Sequence, residues 1–356
     1  MRQYNCFLLV VLCSLLYSCG KDEPEMNTQK SDSTALAYLQ ADFKNPICVR
    51  SGDPWIVQKD GYYYYTYTQG SKLVLYKTKF ITQLDKIVLI NSTIWTPPAG
   101  EMYSQNVWAP ELHELNGKWY MYFAADNGQN KNHRMYVIEN TNADPTTHDW
   151  TLKGKVSDVT NNWAIDGTIL DYNGQLYMVW SGWESETNNS KQNIYIAKLK
   201  DPWTIDGDRV KLSSPDYSWE LHGQPVNEGP AVLKSPDNKY FITYSASFYG
   251  SDDYALGMLS VKPNGDPMNP KDWTKSDQPV FKRNDQGGVY GPGHNGFFKS
   301  PDGKEDWIVY HARSLVGGSS NNDRNTRIQK FAWNADGTPN FGTPVSISQY
   351  LKPPSF

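Results

Sequence analysis

One supersecondary unit recurs five times along this 356-residue chain: a short apolar strand, a tight polar turn and an aromatic strand. The first copy is Pro54-Trp55-Ile56-Val57, a turn at Asp60-Gly61, then Tyr62 to Tyr67. The second runs from Pro110 to Leu115, turns at Asn116-Gly117 and continues from Trp119 to Phe123. The third is Thr168 to Leu170, Asn173-Gly174, then Leu176 to Trp180. Ala231 to Leu233, Asp237-Asn238 and Tyr240 to Tyr244 make the fourth; Gly296 to Phe298, Asp302-Gly303 and Trp307 to Tyr310 make the fifth. Asn-Gly and Asp-Gly are strong hairpin signals because both residues tolerate positive φ. The turns fall at 61, 117, 174, 238 and 303, with spacings of 56, 57, 64 and 65. That length holds the hairpin and two outer strands, the content of a propeller blade. A sandwich would supply strands but not evenly spaced, similar hairpins. Helical periodicity is nearly absent after residue 45, so the sequence predicts an all-β chain, with a single five-bladed β-propeller over residues 45–356.

The N-terminal residues read as an address. Arg2 gives a short positive region, and Cys6 to Tyr17 is apolar except for Ser14. That run is too short to span a bilayer and suits a signal peptide over residues 1–18. It ends at Leu16-Tyr17-Ser18-Cys19-Gly20, the pattern of a bacterial lipoprotein signal in which Cys19 takes the lipid. The alternative is an ordinary secretory signal whose cysteine falls near the cut. Residues 19–44 then form a polar, Pro-containing tether. This places the protein in the cell envelope, held to the outer membrane by lipid alone; which side it faces stays open, though Asp22, Glu23 and Glu25 point outward. The body retains one cysteine, Cys48, so no disulfide framework is available and the core must suffice.

A net charge of −4 and a pI near 5.9 argue against nucleic acid or anionic lipid as partners. Aromatic residues make up 14% of the chain, with 24 Tyr and 13 Trp, while the mean hydropathy is −0.65. Flat rings with polar edges suit a hydroxyl-covered ligand such as a sugar, although aromatic-rich sheets alone look similar.

In a propeller the innermost strand of each blade lines the axis, and its first residues stand at the channel mouth. Blade one enters through Gly52-Asp53-Pro54, blade three through Ile165-Asp166-Gly167, blade four through Asn227-Glu228-Gly229-Pro230. Blade two offers Trp108-Ala109-Pro110-Glu111, a ring in line with Asp53, and blade five Gly293-His294-Asn295. A lone acid before Gly or Pro is ordinarily a turn residue. Three acids in the same phase of three blades would repel one another, a cost that proteins accept at active sites, where it raises one pKa. Asp60, Asp171, Asp237 and Asp302 belong to the hairpin turns. No Ser-His-Asp order, phosphate loop, zinc spacing or EF-hand loop occurs. His113, His133, His148 and His222 read as ordinary; His294, at the lip, either lines the pocket, holds an axial ion or packs.

These residues resemble glycoside hydrolase family 43, and within it the exo-acting α-L-arabinofuranosidases. The resemblance covers about residues 45–345 and rests on Ser51-Gly52-Asp53-Pro54-Trp55, Trp108-Ala109-Pro110-Glu111-Leu112-His113, Ala164-Ile165-Asp166-Gly167-Thr168 and Pro225-Val226-Asn227-Glu228-Gly229-Pro230. Tyr290 to Gly296 and the stretch from Arg324 to Gly342 complete the ordered set. The resemblance implies hydrolysis with inversion, with Asp53 as general base, Glu228 as general acid and Asp166 as the carboxylate that raises the acid's pKa and orients substrate. Inversion needs acid and base about 6.5–9.5 Å apart so that a water fits. It also implies Trp108 as an apolar wall, Arg324 reaching the substrate, and a calcium ion or water cluster on the axis near His294; no cofactor is required. The expected partner is a plant cell-wall polysaccharide, arabinan or arabinoxylan. A β-xylosidase or other exo-glycosidase of the family, and a catalytically silent surface glycan-binding lipoprotein, remain alternatives.

Overall fold

The computed structural model describes residues 40–84, 92–318 and 323–356. The signal segment, Cys19 and the tether up to residue 39 lie outside them. Five inner strands, Trp55–Lys59, Gln105–Leu115, Ala164–Tyr172, Asn227–Lys234 and Tyr290–Lys299, each pair antiparallel with the aromatic strand that follows them. Neighbouring inner strands touch in chain order, and the first touches the last, so the ring is closed. The expected five-bladed all-β propeller is therefore the fold. Among the described residues, four blades are sheets of four or five strands, while blade one has three, Trp55–Lys59, Tyr62–Thr66 and Tyr76–Thr78. No helix among these residues is long and apolar enough to cross a membrane.

Each strand presents alternate side chains to opposite neighbours, so the apolar core is partitioned into five clusters, one at each blade-to-blade interface. Ile56 packs against Val309 and Phe298 of blade five, Leu112 joins Tyr64 of blade one, and Ile169 joins Tyr122 of blade two. Val232 and Phe297 hold the matching places in blades four and five. The turn acids behave as expected: Asp171 accepts from Gly174 N, and Asp302 from the hydroxyls of Ser300 and Ser355.

The chain closes its own ring. Phe43 exchanges two backbone hydrogen bonds with Leu351, Ile47 N donates to Thr326 O, and Thr326 N donates to Cys48 O. Asn45 clasps the backbone of Ile328 with both ends of its amide. The propeller thus begins at Phe43, which is buried in the interface between blades five and one.

Three residues before each neighbour-facing apolar side chain, the backbone enters the left-handed region: Asp53 (φ 58°), Ala109 (44°), Asp166 (57°), Gly229 (51°) and His294 (47°). In blades two to five the ladder slips register here. Glu228 is therefore not in phase with Asp53 and Asp166, as the repeat suggested. It stands one residue earlier, in line with Gly52, Trp108, Ile165 and Gly293, and Ala109 rather than Trp108 is the counterpart of Asp53. Gly229 takes the left-handed place in blade four because a Cβ there would lie 3.1 Å from His294 Nδ1. A one-residue offset turns a side chain to the other face of its strand.

Candidate active site

The entrances to the inner strands converge on a cavity of about 640 Å³ whose wall includes Asp53, Asp166, Glu228, Trp108, His294 and Arg324. All six residues singled out in the sequence are brought together there. The carboxylates of Asp53 and Asp166 are carried on left-handed residues, a strain of about 1–3 kcal/mol each that Asp tolerates better than most.

Asp53 is buried, and its carboxylate is fully engaged. Arg324 Nη1 donates to Oδ1, and Thr68 Oγ1 donates to Oδ2 at 2.8 Å. His294 and His311 bring their Nδ1 atoms to 3.4 and 3.5 Å from Oδ1. Burial alone would raise its pKa; Arg324, then His294, and the Thr68 hydrogen bond overcome this and hold it well below the usual carboxylate range. Asp53 is ionised. Its backbone N–H donates to His311 Nδ1 at 3.1 Å, which fixes the proton of that neutral ring on Nε2, since burial and Arg324 push the His311 pKa well down. Arg324 can lie this close only because residue 52 is glycine: a Cβ there would sit 2.5 Å from its Cζ.

Glu228 has the opposite surroundings. Burial raises its pKa to about 7, Asp53 adds to the rise, and the Tyr254 hydroxyl, donating to Oε1 at 2.9 Å, and Arg324 oppose it. Burial, rather than repulsion from Asp166, does most of the lifting. Asp166 is itself raised, by burial first and by Glu228 and Asp53 further, against His294. Its Oδ2 accepts from Gly229 N at 3.0 Å, so Asp166 grips the backbone immediately after Glu228. One cavity thus holds an ionised carboxylate and a carboxyl group that stays protonated up to neutrality, the pairing that general base and general acid chemistry needs.

The comparisons with known proteins agree with this geometry. Residues 43–339 match glycosyl hydrolases family 43. The chain belongs to this family. It is 43% identical over 323 residues to an extracellular exo-α-(1→5)-L-arabinofuranosidase of Streptomyces avermitilis, a match covering 88% of this chain and 66% of that protein. It is 39% identical over 318 residues to α-L-arabinofuranosidase 43 of Humicola insolens, covering 87% and 65%. This chain therefore spans just under two-thirds of the length of these relatives. The crystal structure of an α-L-arabinofuranosidase from Lactobacillus brevis superposes with a TM-score of 0.79 at 39% identity, covering 86% of this chain and 98% of that one.

Within this family-43 site, Trp108 lines the cavity, held by a stack on His133 at 4.0 Å; His133 is itself fixed by Asp126 and Asn106. The expected calcium ion finds no fit. Among the described residues no group of three or more His, Cys, Asp or Glu could hold a metal, and the carboxylate in ion-pair range of His294 is Asp53, already occupied by Thr68 and Arg324. Four features escaped the sequence reading. His311 braces the backbone of Asp53 and stacks parallel to Tyr254 at 5.7 Å, while Tyr254 holds Glu228. Trp163 and Trp183 form a parallel stack at 4.6 Å on the cavity wall. Glu111 is a further buried carboxyl, raised by burial to about 8 and 2.9 Å from His113 Nε2. Burial holds His113 near 3, so at neutral pH the two share a neutral hydrogen bond rather than an ion pair. The adjacent Glu111-Leu112-His113 spacing, two residues apart on one strand face, was the available signal.

Proposed function

We propose that this chain is an inverting exo-acting α-L-arabinofuranosidase that removes terminal or side-chain arabinofuranosyl units from arabinan or arabinoxylan. The observation that carries the mechanism is the split between Asp53 and Glu228: equally buried carboxyls, one ionised beside Arg324 and one protonated beside a neutral tyrosine. In this reading Asp53 takes a proton from water as that water attacks the anomeric carbon. Glu228 gives its proton to the departing glycosidic oxygen, and Asp166 fixes the backbone behind the acid and presents its other oxygen to the sugar. Trp108 walls the sugar ring, and His294 and Arg324 frame it beside the base. The names of the relatives support the choice of arabinose over xylose.

Release of free arabinose from an aryl α-L-arabinofuranoside, beside an aryl β-D-xyloside, tests the substrate. On linear α-1,5-arabinobiose, whose sugar leaving group needs a proton as an aryl group does not, Glu228→Gln should lower kcat/KM by about two to four orders of magnitude, the worth of a general acid. Xylose release with no arabinose would replace the substrate assignment, and an unchanged Glu228→Gln variant would remove the acid assignment. We propose further that residues 1–18 are a signal peptide and that Cys19 carries lipid at the end of a tether. The Ser18-Cys19 junction supports this, and labelled palmitate should enter the full chain but not a Cys19→Ala variant.

A further inference from the structure

A general acid must lie on the leaving-group side of the sugar, because the oxygen it protonates is the one that departs. The walls beside Glu228 therefore belong to the part of the substrate that leaves. They are built by the loop of blade three between its second strand, Gln175–Gly182, and its third, Asn193–Asp201. The far end of this loop is bolted to the acid's own strand. Gln192 N donates to Pro225 O and Asn227 N donates to Gln192 O, while Ser181 Oγ, on the second strand, donates to Asn227 O at 2.9 Å. The near end begins at Trp183, which lies flat on the buried Trp163 with the rings 8° from parallel. Arg209 clamps that end by donating to the carbonyls of Trp183 and Glu184 at 3.0 and 2.7 Å, and Trp183 N donates to Trp163 O. A half-buried indole fixed by ring, backbone and guanidinium is a preorganised platform for a sugar face.

The loop also separates two cavities. Ser190 and Lys191 line the catalytic cavity on one side and a second, polar hollow of about 370 Å³ on the other. The second hollow carries Lys191 facing Asp216 at 3.4 Å and Lys211 facing Glu184 at 3.3 Å. Two cations matched by two anions leave no net attraction for a charged ligand, while their donors and acceptors suit hydroxyl groups. The first cavity alone has the volume of a drug-sized ligand, larger than one pentose requires.

We infer that Trp183 and the Ser190–Lys191 crest form a leaving-group track for a neutral oligosaccharide. One departing sugar rests on Trp183, and the next crosses Lys191 into the second hollow. This deepens the proposed arabinofuranosidase activity and rests on it: Trp183 and Lys191 become the side chains that read the departing sugars.

The test compares kcat/KM for methyl α-L-arabinofuranoside, linear α-1,5-arabinobiose and α-1,5-arabinotriose. In the unaltered protein the value should rise from methyl glycoside to biose to triose. Trp183→Ala should lower the biose-to-methyl ratio about ten-fold, roughly the worth of one aromatic contact. Lys191→Ala, at an exposed position that carries little folding risk, should lower the triose-to-biose ratio by about three-fold. Equal values for all three substrates, or variants that leave both ratios unchanged, would overturn the track. Absence of arabinose release from every substrate by the unaltered protein would instead overturn the activity on which it rests.

Discussion

The two halves of the cavity use the same functional group under the same burial and reach opposite ends. On the side of blades one and five, Asp53 faces Arg324 and His294 and is held as a carboxylate. On the side of blades three and four, Glu228 and Asp166 face each other, a tyrosine and a backbone amide, and both are driven toward the neutral acid. Desolvation is the first-ranked influence in all three, so it cannot be what separates them. The difference comes from where a cation stands. One guanidinium on the rim polarises the ring of blades into a basic half and an acidic half.

The most damaging way to break this asymmetry is Arg324→Met. It strands a buried carboxylate, which costs about 3–5 kcal/mol of stability, and it removes the foremost influence lowering the Asp53 pKa. Urea melts should show the loss, and the acid limb of kcat/KM against pH should move up by at least about one unit. An acid limb that stays in place would show that Arg324 does not set the basic half. A smaller effect is expected from Tyr254→Phe. The hydroxyl stabilises ionised Glu228, so its removal should move the alkaline limb upward by about one unit, with kcat down about ten-fold. A limb that moves down, or not at all, would separate Tyr254 from the acid's tuning.

The smallest change sharpens the comparison through stability. Glu111, Glu228 and Asp166 have folded pKa values above their unfolded ones, so the folded state binds more protons between about pH 4.5 and 7. Stability is then fully present below the unfolded values and is lost as pH rises through the folded ones. Asp53 works in the opposite sense, but its contribution changes only below about pH 4, outside that window. Burial lowers the folded pKa values of His113, His133 and His311, which offsets this decline up to the unfolded histidine value, so melting temperature should fall chiefly from about pH 6.5 to 8. Glu111→Gln, which replaces a neutral acid by a neutral amide, should flatten the decline by up to about 1.4 kcal/mol per pH unit. A decline of unchanged steepness would show that Glu111 is ionised in the folded protein.

What the sequence revealed and what it concealed follow from the range over which each feature is written. A hairpin is local, announced within four residues by Asn-Gly or Asp-Gly in four blades and by Asp237-Asn238 in the fourth blade, so all five blades and the entrances to their inner strands were legible. The acids were visible because each stands at the start of a blade. Their phase was not, because a bulge adds a residue without leaving a gap in the sequence; aligning Pro54, Pro110 and Pro230 is the signal that sets Gly229, not Glu228, beside Asp53. Arg324 was reached only through family resemblance, since 271 residues separate it from the carboxylate it pairs with. Tyr254 and His311 lie in ordinary strand or loop positions, and nothing marks them until blades four and five are brought to the axis. Glu111 escaped because a buried acid and an exposed one look alike in a sequence.

The N-terminal strap bears on how such a catalyst is born. Residues 43–51 emerge from the ribosome before any blade, yet their partners at 324–328 and 351 come almost last. Ser51, two positions before Asp53, pairs through its own amide with the carbonyl of Arg324. A growing chain can stack blades as they are made, but Asp53 meets Arg324 only when the final blade arrives and the two chain ends clasp. The same clasp that completes the barrel completes the charge pattern. A chain cut between residues 228 and 324 carries all three acids and lacks the guanidinium that sets them apart, so the charge pattern is acquired in one step, at the moment of closure.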